Sequence, residues 1–515
     1  MLRQITLRIP SFALRALEVQ VISLQQLLGY YPLPLPPLDV SGLKLDSRQV
    51  AGGDCFVAVP GYQVDGRDFI EQALVQGASV VLAESDCVGI EARGNGYVIE
   101  VPDLKNQLSA IAGRFYQHPS QQLKVIGVTG TNGKTSVTYI LAQLLNQLGE
   151  QAAVIGTTGS GFPGRLSAET HTTPDPLAVQ QRLASLKAEG ATVVAMEVSS
   201  HALVQRRVEA VTFAAAVATN ISRDHLDYHG TMVNYTGAKR RLFTELDSAQ
   251  SVVNCDDSAL AAWLPDRSDS WRYSLRAQTA QHSVWAEEVQ YSAQQTQFTL
   301  CIRIAADQVE RHSVCSPLLG SFNVYNVLAA VTALLSLAYP SADIVAAIRQ
   351  LEPIPGRMEA FSAAGKPVVI VDYAHTPDAL QQVLTATRKH CKGQLWVVFG
   401  CGGDRDRGKR PQMGRVAAEL ADRVIVTDDN PRTEEPAHIV NDILTGMPNR
   451  RHVDVQFGRR EALQKALQQA ASDDVIILAG KGHENYQVIG QQRLPYDERA
   501  EVQALLNNQT LEVDL

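Results

Sequence analysis

Cysteine is scarce and unpaired in pattern. The seven residues Cys55, Cys87, Cys255, Cys301, Cys315, Cys391 and Cys401 are scattered, odd in number and nowhere spaced as CxxC, which argues against a disulfide framework, a zinc ribbon or a thioredoxin-like redox pair. That usage fits a reducing compartment, and a cytoplasmic location is expected. A dominant positive charge is lacking as well. The formal net charge of −8 gives no broad positive field, so neither nucleic acid nor an anionic membrane is an expected partner. No stretch approaches the ~20 apolar residues that span a bilayer. Near the start, Arg3, Arg8 and Arg15 lie among apolar residues, but Pro10 and polar residues interrupt any signal-peptide core. Residues 1–20 are therefore expected to be a short N-terminal extension. Internal repeats and low-complexity tracts are also missing.

What remains is ordinary globular material in quantity. Hydrophobic residues make up 45% and charged residues 19% of 515 positions, and a chain of that length exceeds the roughly 250–300 residues one core can serve. Three domains are expected, over residues 21–104, 105–352 and 353–515. The first opens with a helical run at Ser23–Leu28 and the proline-rich Pro32–Pro37, followed by short strand candidates at Asp54–Val59 and Ser79–Ala83, and reads as a small α/β domain. In the second, after the helical stretch Leu104–Tyr116, the apolar runs Leu123–Val128, Thr192–Met196 and Val211–Thr219 read as buried parallel strands. Between the first two lies an amphipathic helix with Val137, Ile140, Leu141, Leu144, Leu145 and Leu148 on one face and Gly149 at its end. The third domain repeats the pattern at Val368–Val371, Leu395–Phe399, Val424–Thr427 and Val475–Leu478. The fold class is thus α/β: a central doubly wound parallel sheet of P-loop type, flanked by the small first domain and a Rossmann-like third one. Ligands of open parallel sheets bind outside the carboxyl ends of the strands, so Asp372, Gly400–Arg410, Asp428–Arg432 and Gly480–Glu484 are predicted to crowd one rim.

The clearest chemistry lies between the first central strand and its helix. Gly130, Thr131, Asn132, Gly133, Lys134 and Thr135 form a glycine-rich turn whose backbone N–H groups can cradle phosphates, with Lys134 for the β/γ oxygens and Thr135 for Mg²⁺. Position 128 is Val128, where the strict GxxxxGK[ST] pattern has glycine, so this is a variant loop. Glu197 ends one buried strand and His225 follows another, which suits them to a metal beside those phosphates. Lys239, by composition alone, reads as a solvated surface charge.

The run Gly127–Thr135 (GVTGTNGKT) resembles the ATP loop of the Mur ligase and folylpolyglutamate synthetase superfamily. So do His171–Pro174, Glu197–His201, Asn220–His229, Tyr235–Lys239, Gly320–Asn326, Gly356–Glu359 and Asp372–Pro377. With Asp46-Ser47-Arg48 near the start and Asp429–Arg432 near the end, the likeness spans nearly the whole chain and is nearest to the diaminopimelate-adding branch of the Mur ligase family. What it implies is an ATP-dependent amide-bond ligase of peptidoglycan precursor synthesis, joining meso-diaminopimelate to UDP-N-acetylmuramoyl-L-alanyl-D-glutamate through an acyl phosphate. It further implies Mg²⁺ held by Thr135, Glu197, His225 and a carbamylated Lys239, and a catalytic set of Lys134, Glu197, His225 and Lys239. Adenine and ribose would lie against Asn323, Arg357, Asp372 and His375. Leu45, Ser47, Tyr62, Gln63 and Val64 would take the UDP end, and His171, Thr172, Thr173, Ser199, Gln205 and Arg207 the muramoyl dipeptide. Arg405, Asp429, Asn430, Pro431, Arg432, Gly480 and Glu484 would bind diaminopimelate, and the enzyme is expected to be a monomer. Two rivals stand beside this reading. A folylpolyglutamate synthetase would share the loop and the carboxylate activation, and a nucleotide-gated binding module would hydrolyse ATP without joining anything.

Overall fold

The computed structural model describes residues 21–61, 64–263, 270–292, 295–305 and 308–507. Tyr62 and Gln63 of the expected UDP-binding loop, and the expected extension 1–20, lie outside them. The chain forms two compact units. One runs through Tyr273 and regains Gln281–Ser283 and Ala329–Ser341; the other comprises Ser274–Ala280, Val284–Leu328 and Ala342–Leu515. Among the described residues no helix is long and apolar enough to cross a membrane.

Among the described residues the first unit holds a two-stranded ribbon, Ile22–Ser23 with Asp39–Val40, and two larger sheets. In the smaller, Leu43–Lys44, Cys55–Ala58, Val80–Glu84 and Gly96–Val101 pair in parallel and Gly89–Arg93 closes the edge antiparallel. The helices Leu24–Leu28, started by a Ser23 capping box, and Leu104–Phe115 cover one face. In the larger, Lys124–Thr129 lies between Val193–Glu197 and Phe213–Ala218, with Ala152–Gly156 and Ser248–Asn254 outside them, all parallel. The helix Lys134–Gln147 buries Val137, Ile140, Leu141, Leu144 and Leu145 on one side. On the other, Pro176–Ala188 and Met232–Thr244 contribute Val179, Leu183, Leu186, Leu242 and Phe243 to a second core. Helices on both faces explain why these strands read as unbroken apolar runs.

The second unit centres on a six-stranded sheet in the order Glu359–Phe361, Val368–Asp372, Val475–Ala479, Leu395–Phe399, Arg423–Val426, Val453–Val455, parallel except for its first strand. Alternate residues point to opposite faces of a strand. Ile370, Val397 and Ile477 accordingly meet the helices Pro377–Arg388, Lys409–Leu420 and Pro436–Leu444, while Val369, Val398 and Ile476 meet Arg459–Gln469 and Glu498–Leu506. The same unit carries Ser283–Tyr291, Thr296–Arg303 and Glu310–Ser316, the last two paired antiparallel. None of these strands, nor the hairpin Gly159–Phe162/Arg165–Ser167, was predicted. Their burial alternates or is partial, as in Glu310–Ser316, so no continuous apolar run marks them.

Leu141, wholly buried in the helix that follows the glycine-rich loop, tests how far this packing stabilises the central sheet. Leu141→Ala is expected to cost about 2–5 kcal/mol, read as a lower denaturant midpoint with native far-UV circular dichroism before the transition.

Candidate active site

In the first unit the glycine-rich loop is set by two left-handed glycines. Gly130 has φ +143° and a Cβ there would lie 1.8 Å from Thr219 Oγ1, while Gly133 at φ +85° turns the chain into the helix. The loop is braced from the next strand: Thr131 N–H donates to Asn220 O (2.8 Å), Asn132 N–H to Asn220 Oδ1 (3.0 Å), and Thr219 Oγ1 to Asn132 O (2.6 Å). Lys134 Nζ donates to the carbonyls of Gly130 and Thr131, both at 2.9 Å.

Glu197 ends its strand with 1% exposure. Its Oε1 accepts from Thr135 Oγ1 and Thr157 N–H, both at 2.9 Å, and its Oε2 from Thr157 Oγ1 at 3.2 Å. The space exists because position 156 is glycine; a Cβ at Gly156 would lie 2.3 Å from Glu197 Oε1. The expected dipeptide residues converge on this point. Thr173 Oγ1 donates to Glu197 O (2.9 Å), Thr157 Oγ1 to Thr172 Oγ1 (3.1 Å), and Arg207 to both Thr173 O (2.6 Å) and Gln205 Oε1 (2.6 Å). Ser199 caps a short helix through Ala202 N–H. His171 is exposed and bonds only locally, to Thr170.

His225 adopts φ +51°, is half exposed, and has Nε2 3.4 Å from Asp224. Its ring packs against His201 at 4.8 Å. Burial, and then the neighbouring His225, pull the His201 imidazole down to about 4. Lys239 departs from the composition-based expectation of a surface charge. It is 1% exposed, its Nζ donates to Gly130 O at 2.7 Å and lies 4.7 Å from the centre of the Tyr235 ring. Burial, and then the charge of Lys134, push its amine well below the ordinary lysine value. The physical reason is topological: the helix Met232–Thr244 packs Tyr235, Ala238 and Lys239 inward, beneath the loop. Toward the start of the chain, Ser47 is buried and donates to Gln72 Oε1 (3.1 Å), Leu45 packs beside the first core, and Val64 is exposed.

Among the described residues no group of three or more His, Cys, Asp or Glu side chains forms a ready-made metal cluster. The donors at this point are instead a buried carboxylate and a hydroxyl, a set suited to a hard cation that takes most of its ligands from phosphate and water.

In the second unit the predicted rim is assembled at the carboxyl ends of the strands. Asp372 accepts from Met358 N–H and Ala374 N–H (both 2.8 Å), and burial pushes its carboxyl upward. Arg357 lies over the Tyr373 ring at 4.7 Å, where His375 also packs at 4.7 Å. Asn323 is buried and donates to Leu319 O. Arg432 takes φ +51°; its backbone pairs with Val488 and Gly490, and its Nη1 donates to Gly403 O at 2.8 Å. Asp429, Asn430 and Pro431 before it are buried. Asn430 Nδ2 donates to Glu484 Oε2 at 3.1 Å, and Gly480, at φ +121°, turns the chain beside Asp429. Arg405 is exposed on the Gly400–Arg410 loop. That loop is tied down by Arg410, fully buried, which donates to Glu434 and Asp442 at 2.8 Å. Sequence reasoning missed Thr157; it placed Arg410 and Lys481 on the rim and Tyr373 within a motif, but gave none of the three a role. Thr157 and Lys481 each directly follow the last residue or two of a buried strand, the position that flagged Glu197.

A phosphate loop with a buried acidic strand end, joined in one chain to a second parallel sheet carrying a charged rim, defines the class of ATP-dependent amide-bond ligases. Comparison with known proteins agrees. Residues 39–116 match the Mur ligase family, catalytic domain; residues 128–334 match the Mur ligase middle domain; and residues 356–482 match the Mur ligase, glutamate ligase domain. Among solved structures, a UDP-N-acetylmuramoyl-L-alanyl-D-glutamate–2,6-diaminopimelate ligase is 36% identical over 95% of this chain and 99% of that one, with a TM-score of 0.70. An Acinetobacter baumannii UDP-N-acetylmuramoylalanyl-D-glutamyl-2,6-diaminopimelate–D-alanyl-D-alanyl ligase (19% identity, 91% and 97% covered, TM-score 0.63) and the Mycobacterium tuberculosis folylpolyglutamate synthase complexed with ADP and AMPPCP (17%, 73% and 92%, 0.58) share the fold. The chain belongs to the Mur ligase family and is an ATP-dependent ligase of peptidoglycan precursors.

Because Gly156 makes room for Glu197, Gly156→Ala is expected to displace the carboxylate and lower ligase turnover at least tenfold while the fold persists. Gly52→Ala, where an added Cβ meets nothing within 4 Å, serves as the control. Equal turnover of the two variants, measured as ADP release, would remove Glu197 from the site.

Proposed function

We propose that this chain joins meso-2,6-diaminopimelate to the D-glutamate of UDP-N-acetylmuramoyl-L-alanyl-D-glutamate, converting ATP to ADP and phosphate. The observation that carries this reading is the mixed charge fixed at one rim of the second unit: Arg432, pinned through Gly403 O, on the same rim as the buried carboxylate of Asp429 and the part-buried one of Glu484. The far end of diaminopimelate bears both an ammonium and a carboxylate, whereas lysine ends in an ammonium alone. A guanidinium fork suits that carboxylate and the acidic pair suits an ammonium. The 36% identity to a diaminopimelate ligase supports the same choice. Against the folylpolyglutamate reading stand Asp46-Ser47-Arg48 and Asp429–Arg432.

A carboxylate resists amines because it is anionic and has no good leaving group. In the proposed sequence its oxygen takes the γ-phosphoryl of ATP as the bond to ADP breaks. The amine then attacks the carbonyl carbon, phosphate departs, and the ammonium proton goes to solvent. Phosphoryl transfer needs mainly positioning and charge neutralisation. Gly130–Thr135 cradles the phosphates, with Lys134 toward the β/γ oxygens; Asn323, Arg357, Asp372 and His375 hold the nucleoside. Leu45, Ser47, Tyr62, Gln63 and Val64 take the uridine end, while His171, Thr172, Thr173, Ser199, Gln205 and Arg207 orient the acceptor carboxylate. Thr135, Glu197, His225 and a carbamylated Lys239 would hold Mg²⁺, which when bound offsets the charge on the transferring phosphoryl. The buried Lys239 supports the carbamate assignment, since only an unprotonated amine adds to CO₂, its lone pair attacking carbon and one N–H proton leaving.

Two outcomes are expected. Lys239→Ala should be inactive and partly rescued by a small added carboxylate; a fully active Lys239→Arg, which cannot form the carbamate, would refute the assignment. In phosphate-release assays the wild-type enzyme should prefer diaminopimelate to L-lysine by roughly 10⁴-fold. Arg432→Ala should lose about 1.5–3 kcal/mol or more of that efficiency with the KM for ATP little changed. Equal wild-type efficiency on lysine would overturn the assigned amino acid.

A further inference from the structure

We propose that Lys481 is a positioning residue for the amino-acid acceptor: by clamping Asn430 to Glu484 it fixes an acidic face with one negative charge left for the acceptor's ammonium. The proposal rests on the second-unit rim being the acceptor site, as argued above. Lys481 lies between Gly480 and Gly482, both left-handed, and a Cβ on Gly482 would lie 2.6 Å from Tyr373 Cβ and 2.9 Å from Gly356 O. The turn can close only with glycine there, and closing it buries the Lys481 side chain completely.

An ammonium has three N–H donors, and all three have partners. Nζ donates to Asn430 Oδ1 (2.6 Å), Glu484 Oε2 (3.1 Å) and Tyr486 O (3.0 Å), with Asp429 Oδ1 also within 3.3 Å. Asn430 is held from two further sides: Val488 N–H donates to its Oδ1 (2.9 Å) and its Nδ2 donates to Glu484 Oε2 (3.1 Å). The two oxygens of Glu484 therefore differ. Oε2 is filled by Lys481 and Asn430, while among the described residues Oε1 has the Tyr373 and Tyr486 hydroxyls at 3.5 Å. One buried cation faces two carboxylates, so the cluster carries a net negative charge, and its loosely held oxygen is the one that can receive an ammonium. One of the three bonds goes to a backbone carbonyl, and the other two go to side chains assigned to the acceptor.

The test is steady-state kinetics of the full-length enzyme with Lys481→Met, a near-isostere without charge. KM for the amino acid should rise at least tenfold, with kcat within about threefold and KM for ATP within twofold of wild type. Combined with Glu484→Gln, the two changes should be far less than additive, because both act on one clamp. If Lys481→Met does not fold, Lys481→Gln, which keeps an N–H donor toward Asn430, should show the same rise in amino-acid KM. An unchanged amino-acid KM, or a parallel loss in every parameter together with a lowered melting temperature, overturns the proposal. Should the wild-type enzyme prefer lysine, the diaminopimelate assignment fails, and the same measurement with lysine still decides the role of Lys481, since both amino acids present an ammonium.

Discussion

A carboxylate with 1% exposure must be satisfied where it lies, since an uncompensated buried charge is costly, and Glu197 is satisfied by three donors from two segments. Thr135 comes from the first turn of the helix behind the phosphate loop, and Thr157 from the end of the neighbouring strand. Glu197's own carbonyl accepts from Thr173, which ties in the segment carrying His171 and Thr172. One residue, through its carboxylate and its carbonyl, thus joins the loop, the sheet and the expected dipeptide-binding residues. Gly156 is part of the same constraint, because any side chain there would occupy the carboxylate's place.

The second unit solves a different problem. Its rim is made of four loops leaving the strands Leu395–Phe399, Arg423–Val426, Val475–Ala479 and Val368–Asp372, and loops have no ladder of their own to hold them. Buried cations replace it. Arg410 reaches Glu434 across the first two loops and also the carbonyl of Gly402. Arg459 pairs with Glu498, both fully buried, and donates to the carbonyls of Ala479 and Asp428, at two strand ends. Such pairs are weak evidence for stability, because desolvation offsets much of their attraction. Their effect here is geometric: each fixes one loop against the next.

How much of this could be read in the sequence follows from the same distinction. Strands covered on both faces, such as Leu395–Phe399, are continuous apolar runs and were placed to within a residue or two. The loop at Gly130–Thr135 was legible because its glycines stand where positive φ is required. Edge elements such as Ser283–Tyr291 and Gly159–Phe162 have no such signature. Lys239 shows the limit most plainly. Nothing in composition or periodicity separates it from Arg240 and Arg241 beside it, and only the bonds of Tyr235 to Thr131 and of Lys239 itself to Gly130 O reveal that its side chain turns inward.

Charge, in the end, is used in opposite ways in the two units. Near the phosphate loop the two lysines lie close enough that Lys134 disfavours the protonated form of Lys239. A second fixed cation there would compete with any metal for the same phosphate oxygens, and an environment that disfavours the charged form of Lys239 weakens that competition. At the rim of the second unit each buried cation is instead paired with at least one carboxylate. Asp429 and Glu484 outnumber Lys481 in their cluster, and Arg432 stands nearby on the same turn with its guanidinium bonded only to a carbonyl among the hydrogen bonds described. A surface built this way is unbalanced locally in both signs. It is best neutralised by a ligand that is itself charged in both signs at one end, and a simple cation or a simple anion would leave one half of it unanswered.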